Sequence, residues 1–474
     1  MAYVAVSAEQ RIDAPPAAVF ALFGADAGAG WLFDATCDRV AVGAAVTLRA
    51  PLGGHPVELL GRIAAVRPPS TIELRLDQPW RGTLRVRFEP AGAGTRVRLT
   101  AGLDDDGLRW MMRRRGYRVP AEPTGGAHAV GLLTSKSGSG SVFSAASEGL
   151  AAMAVEEINA EGGIHGQPVR LVVGDDATDP AVGTLEAWRL VHAGCRSIMA
   201  ATTSATFERV SNELRGCATL LVQTVMNEGG LGGGLRVQLG ERPADQLRAA
   251  IGPMMDAAGG RRWFLAGNDY VWPHVVHGKA RSLVAEHGGT VVGERFAHLG
   301  TRDFTPLVEA VLASGADVVL SSFVGADLVT FERQCHEMGV RARCRSLALA
   351  LDEPTRERIG AAAAPGLWGV AGYFAELPGA TNAAFLSRYR EMHGPFAPPV
   401  STISESVYEA LHLYAAAARR APDDDPVGVA RELRHGRADF PRGTVTVDGP
   451  ETVAQRLYLA EATADGFLVS HQVR

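Results

Sequence analysis

The chain has 474 residues, 46% of them apolar and 21% charged, and a mean hydropathy near zero. That balance excludes a disordered chain and a membrane-resident one, and the length implies more than one folding core. A formal net charge of -5 offers no basic face for neutralising phosphates, so no nucleic-acid partner is expected.

The N-terminus, MAYVAVSAEQRIDAPP, meets Glu9, Arg11 and Asp13 before an apolar run reaches the length of a signal segment. No uncharged apolar stretch of about 18 residues follows, so neither export nor membrane association is expected. The five cysteines, Cys37, Cys195, Cys217, Cys335 and Cys344, lack CxxC or Cys/His spacing. They read as reduced, buried thiols of a cytoplasmic protein.

From the start of the chain, Val46-Thr-Leu-Arg-Ala, Thr71-Ile-Glu-Leu-Arg-Leu, Thr83-Leu-Arg-Val-Arg-Phe and Thr95-Arg-Val-Arg-Leu-Thr alternate apolar with polar residues. They predict antiparallel strands with one polar face, followed by a short helix from Asp104 to Gly116. Trp31, Phe33, Trp80 and Phe88 are candidates for lining an apolar pocket, against the plainer reading as core. Arg113-Arg114-Arg115 reads as a solvated helix end. At Arg118 to His128, RVPAEPTGGAH, two prolines and a Gly-Gly pair mark a linker.

Beyond it, apolar strands alternate with amphipathic helices. Ala129 to Leu133 precedes a helix at Gly149 to Asn159; Val169 to Val173 follows; Trp263 to Ala266, Thr290-Val-Val-Gly-Glu and Asp317-Val-Val-Leu-Ser-Ser come later. Such alternation predicts parallel sheets built from βαβ units, and about 345 residues of it predict two lobes. No GxSxG, HExxH, P-loop or dinucleotide fingerprint is present, so no enzyme and no cofactor is expected. His274 and His277, three apart on a helix, read as surface residues rather than metal ligands.

Two resemblances sharpen this reading. Ile12-Asp13-Ala14-Pro15-Pro16-Ala17-Ala18-Val19-Phe20, with Val42-Gly43 and Gly94-Thr95-Arg96-Val97-Arg98-Leu99, makes residues 1–117 similar to the START/SRPBCC superfamily. That resemblance implies a helix-grip α+β domain with an apolar cavity and a hydrophobic ligand. After a linker at 118–127, residues 128–474 resemble the type 1 periplasmic-binding fold, in particular its amide, urea and branched-chain amino-acid branch. The carrying segments are Gly131-Leu-Leu-Thr-Ser-Lys-Ser-Gly, Ala151-Ala-Met-Ala-Val-Glu-Glu-Ile-Asn, Asp175-Asp-Ala-Thr-Asp-Pro and Gly267-Asn-Asp-Tyr-Val-Trp-Pro.

The second resemblance implies a two-lobed α/β unit closing on a small amide, urea or amino-acid-like ligand. It implies ligand contacts at Ser137, Thr203, Ser204, Asn227, Glu228, Tyr270, Ser322, Phe323, Glu353 and Tyr373. Gln223-Thr-Val-Met-Asn-Glu-Gly lacks the tyrosines of amide-binding relatives, and Leu351 stands where an acidic residue is common, which favours a less polar ligand. Because one cytoplasmic relative is an amide-sensing regulator, the leading expectation is a cytoplasmic sensor with a protein partner. The alternatives are a substrate-binding protein of an ABC transporter, and an enzyme that uses Asp34 or Glu89 in the N-terminal cavity. Homo-oligomerisation is left open.

Overall fold

A computed structural model describes residues 4–24, 35–52, 55–117, 119, 126–422 and 425–472. The alternating N-terminal segments form one antiparallel sheet of β1 (Val4–Ile12), β2 (Thr36–Cys37), β3 (Ala45–Leu52), β4 (His55–Arg67), β5 (Thr71–Gln78), β6 (Gly82–Ala91) and β7 (Gly94–Leu103), in the order β1-β7-β6-β5-β4-β3-β2. The pleat sends Leu84, Val86 and Phe88 inward and Arg85 and Arg87 outward. Helices α1 (Pro16–Ala21) and α2 (Asp105–Arg114) contribute Val19 and Trp110 to the same core. The Asp104 side chain caps α2 by accepting from Gly107 N at 2.8 Å.

Trp80 and Phe88 are both 2% exposed, and the Trp80 ring packs on Trp110 with centroids 5.5 Å apart. Both are core, not pocket lining. Glu89 stands opposite Arg96 on the neighbouring strand, on the face opposite Phe88, so it cannot point into an interior cavity as the enzymatic alternative needs. Trp31, Phe33 and Asp34 lie outside the described residues.

The first lobe of the remainder holds five parallel strands: β8 (His128–Thr134), β9 (Val169–Asp175), β10 (Ser197–Ala201), β11 (Leu220–Gln223) and β12 (Arg236–Gln238), ordered β12-β11-β10-β8-β9. Helices α3 (Ser147–Ala160), α4 (Pro180–His192) and α5 (Ser204–Glu213) connect them. The chain then crosses to the second lobe through α6 (Pro243–Ala258), β13 (Arg262–Asn268), α7 (Val271–Glu286), β14 (Thr290–Ala297), α8 (Thr305–Ser314), β15 (Val318–Ser322), α9 (Gly325–Glu337), β16 (Arg345–Ala348), α10 (Glu353–Ile359) and β17 (Leu367–Ala371). Strands buried on both faces lose the alternation of the N-terminal sheet, as in Val318-Val-Leu-Ser-Ser, whose five residues are all buried.

A return to the first lobe adds α11 (Ala380–His393), α12 (Thr402–Arg420) and α13 (Pro426–Leu433), with a small sheet of β18 (Arg437–Phe440), β19 (Gly443–Asp448) and β20 (Thr452–Ala454). Helix α12 packs on α3 and β10. The third crossing leads to β21 (Tyr458–Ala462) and β22 (Phe467–Gln472), which complete the second sheet as β14-β13-β15-β16-β17-β21-β22.

The three crossings meet at one buried cation. Arg442, 1% exposed, donates from Nε to Glu405 at 2.7 Å and from Nη1 to Gln455 of the third crossing at 3.0 Å. Nη1 also reaches Glu241 of the first crossing at 3.4 Å, and Glu241 accepts from Gly372 N of the second at 2.6 Å. A side chain at 372 has no room, since a Cβ there would lie 2.4 Å from Arg442 Nη1. Glu409 lies 2.9 Å from Arg442 Nε, yet burial, reinforced by Glu405 and Glu241, lifts its carboxyl well above the usual range. Arg442 opposes that rise.

Arg442→Met strands two carboxylates in the interior and is expected to lower unfolding free energy by about 3–5 kcal/mol. Glu409→Gln, an isosteric change at a carboxyl that burial pushes toward its protonated form, is expected to stay within about 1 kcal/mol of wild type. Urea titrations of both variants check this, and equal losses would mean that Glu409 is ionised in the fold.

Candidate functional site

The lobes face each other at the C-terminal ends of β8, β10, β13 and β15. In the first lobe the loop after β8 is shaped by Asp175, the last residue of β9. Its carboxylate accepts from Lys136 N at 2.9 Å, Ser137 N at 3.1 Å, Ser137 Oγ at 2.8 Å and Ala177 N at 2.9 Å. Ser137 is therefore an anchor of this loop. The adjacent Asp176 is fully buried and accepts from Thr178 N at 2.9 Å; burial pushes its carboxyl up to about 7.

Helix α5 begins beside this loop. Thr203 caps it by accepting from Thr206 N, while Ser204 donates to Glu228 Oε2 at 2.6 Å. Burial raises the Glu228 carboxyl above its ordinary value, against the pull of the Ser204 bond. Across the cleft, Tyr270 stands at the N-terminus of α7, and α7 touches α5. Burial and the carboxylates of Glu228 and Asp327 hold the Tyr270 phenol far above its normal range. Among the described residues its hydroxyl has no hydrogen-bond partner.

Asn268 and Asp327 shape the second wall. Asn268 donates to Asp327 at 2.7 Å and accepts from Val324 N at 3.1 Å, and Asp327 also accepts from Gly300 N at 2.9 Å. Burial raises Asp327 to about 6. The lobes touch where α9 begins: at Gly325, with φ of 55°, a Cβ would fall 1.9 Å from Ser139 O. Only glycine permits that approach.

The ten residues expected to contact ligand thus separate. Ser204, Glu228 and Tyr270 converge. Asn227 is spent on its own loop, donating to Val225 O at 2.9 Å and Leu239 O at 2.5 Å. Ser322 and Phe323 are buried completely; Phe323 packs on Phe304 and Phe331. Glu353 accepts from Ala375 N at 2.7 Å, Tyr373 donates to Asn382 at 2.8 Å, and Leu351 is core at 2% exposure.

His277 corrects the surface expectation, being wholly buried between Glu294 on Nδ1 and Ser322 Oγ on Nε2, each at 2.9 Å. This Ser–His–Glu chain has the connectivity of a hydrolytic triad. Ser322 has no exposed surface, and its hydroxyl also lies 3.2 Å from Ala266 O, so the chain is a polar strut of the core. Asp176, Asn268 and Asp327 were missed as shaping residues, although the paired aspartates after an apolar strand and the Gly267-Asn-Asp-Tyr run were visible in the sequence.

Asp176 gives a pH test. Its folded carboxyl ionises near 7 and its unfolded one near the ordinary value of about 4. The folded state therefore holds the extra proton, and wild-type stability falls as pH rises between those values. Asp176→Asn lacks this penalty, so its melting temperature relative to wild type is expected to rise from pH 5 to pH 8. A pH-independent difference in differential scanning fluorimetry would contradict the assignment.

Residues 128–466 match the family model described as periplasmic binding protein. A Leu/Ile/Val-binding protein homolog from Brucella melitensis is 22% identical over 365 residues, covering 71% of this chain and 91% of that protein. Among solved structures, an ABC transporter solute-binding protein from R. palustris in complex with 4-hydroxybenzoate superimposes with a TM-score of 0.65 at 19% identity, covering 73% of this chain and 96% of that one. A branched-chain amino-acid transporter substrate-binding protein from Streptococcus pneumoniae in complex with isoleucine gives 0.64 at 19%, covering 73% and 98%. The family match begins only at residue 128, and nothing in the comparisons supports a START/SRPBCC domain before it.

These findings overturn the cytoplasmic expectation, since the matched family is that of the periplasmic binding proteins and both solved structures are binding proteins of transporters. The sensor reading, which rested on that location, loses its support. The cysteines misled for a physical reason: Cys195, Cys335 and Cys344 are buried, with thiols raised by desolvation, Cys195 to about 12 and Cys344 to about 11. Burial alone explains why they are unpaired, whatever the compartment. With more than two thirds of its length matched by the family model, the chain belongs to the periplasmic binding proteins.

Proposed function

We propose that this chain is a substrate-binding protein of an ABC transporter and holds a small carboxylate-bearing ligand between its lobes. The observation that carries the reading is the convergence of Ser204, Glu228 and the unpartnered Tyr270 hydroxyl where α5 and α7 meet. The N-terminus of α5, with Thr202 and Thr203 ahead of Ser204, suits a carboxylate, because free backbone N–H groups and the helix dipole favour negative charge there. Glu228 supplies the opposite pole. Ionised, it matches an ammonium; protonated, it donates to a neutral oxygen.

Ligand chemistry is the finer part of the proposal. The solved relatives hold 4-hydroxybenzoate and isoleucine, and both are carboxylates with an apolar body. We assign this chain the same class, keeping the amino-acid-like part of the sequence expectation and setting aside its amides and ureas. Residues 1–117 are proposed as a separate helix-grip domain of START/SRPBCC type, joined at 118–127, with α1 and α2 on the apolar face of its sheet.

A thermal-shift panel of benzoates, branched-chain amino acids, amides and urea tests the ligand class. A true ligand at 100 times its Kd stabilises the native state by about 2.7 kcal/mol. Ser204→Ala and Tyr270→Phe are each expected to weaken binding by about 0.5–1.5 kcal/mol, read by isothermal titration. If both variants bind like wild type, the site lies elsewhere; if only amides or urea shift the transition, the carboxylate assignment falls.

A further inference from the structure

The N-terminal domain is in contact with both lobes at once, through α2 and the β5–β6 turn towards the first and through its sheet towards the second. Towards the first lobe, Trp110 Nε1 donates to Asp175 Oδ2 at 2.7 Å, Arg113 lies 3.9 Å from Glu186 of α4, and Arg81 is 3.3 Å from His393 at the end of α11. Towards the second lobe, Arg62 binds Glu357 of α10 through two bonds of 2.5 Å. Arg358 of the same helix donates to Thr47 at 2.9 Å. The Arg62 and Glu357 side chains are only 11% and 25% exposed, and a bidentate guanidinium–carboxylate pair shielded from water is among the stronger polar contacts. All three bodies border one crevice of about 140 Å³, where Thr47 and Glu58 of the sheet, Val142 of the first lobe, and Ala326 and Glu357 of the second come together.

We infer that the N-terminal domain is a clasp that holds the two lobes in the arrangement of this structure, so that they part only when one of its two footholds lets go. Lobe opening is a rotation about the crossings at Arg442, and it moves α10 relative to Asp175. A domain fastened to one lobe by Trp110 of α2 and to the other by Arg62 of β4 cannot follow that rotation with both contacts intact. It must release Glu357, or release Asp175. Both releases reach the cleft, because Asp175 orders the loop carrying Ser137 and α10 packs on α9, whose start faces that loop. The clasp therefore adds a domain-held barrier to ligand exchange and needs no ligand to act.

The test reads across the molecule, using hydrogen–deuterium exchange on the full chain without added ligand. Glu357→Gln cuts the foothold on the second lobe, and the readout is the amides of Lys136, Ser137 and Gly140 in the first. Trp110→Phe cuts the opposite foothold, and its readout is Val324 and Gly300 in the second lobe. Each variant is expected to speed exchange in the far lobe by about tenfold, the order set by one charge-assisted hydrogen bond. Arg85→Ala, which breaks a pair with Glu73 on the outer face of the sheet, is the control and is expected to leave both sets unchanged. Exchange that changes only beside the mutated foothold, or not at all in either variant, overturns the clasp. If one variant fails to fold by circular dichroism, the other decides alone.

Discussion

Everything about the cleft depends on how three backbone crossings are held, and in this chain one guanidinium holds them. Arg442 gathers Glu405 and Gln455 and meets Glu241, and Glu241 in turn fixes Gly372. A buried ion cluster of this kind contributes little net stability relative to an apolar core of equal volume, because desolvation offsets most of the attraction. Its worth here is geometric. Five donors in a planar fork leave few arrangements in which the partners are satisfied, so the crossings enter each lobe at set angles and the first turns of α5 and α7 are brought face to face.

The same logic operates at the cleft on a smaller scale. Asp175 spends its lone pairs on the loop after β8, while Asn268 and Asp327 fix the start of α9 against β13. These side chains are occupied, so they set shape rather than meet a ligand. Spare bonding capacity remains at the Tyr270 hydroxyl and at the Glu228 carboxyl, which Ser204 engages on one oxygen. A binding site of few free groups on a rigid frame loses little conformational entropy when a ligand arrives.

Periodicity made the architecture legible. The alternation in Thr83-Leu-Arg-Val-Arg-Phe could only be a half-buried strand, and the strand-helix rhythm after His128 fixed parallel sheets. The Ser204 and Tyr270 loops were legible because each follows an apolar strand and opens a helix. Depth was not. Ser321-Ser322-Phe323 ends a strand just as those loops begin, and nothing in its composition says that Ser322 turns inward to His277. His277 itself looked superficial because its partner Glu294 lies 17 residues on, in a strand whose placement beside α7 is a tertiary fact. The unpaired cysteines were equally ambiguous, since a thiol that burial keeps protonated looks the same in sequence as one kept reduced by its compartment.

The Trp110 contact was invisible for a similar reason, and its position on the first-lobe network gives it more consequence than a single bond between domains. A carboxylate offers about four lone-pair sites, and Asp175 already receives Lys136 N, Ser137 N, Ser137 Oγ and Ala177 N before the indole of Trp110 arrives. The group is saturated. Ser137 Oγ and Trp110 Nε1 share the same oxygen, Oδ2, one donor for each of its two lone pairs, while the three backbone N–H groups crowd Oδ1. While Trp110 is docked, that oxygen holds both donors in one fixed geometry. When Trp110 withdraws, Oδ2 regains a lone pair and the Ser137 hydroxyl gains freedom to re-aim, in the loop that approaches Gly325 across the cleft. The N-terminal domain thus bears on the cleft at the level of one oxygen atom, without contributing a residue to its lining.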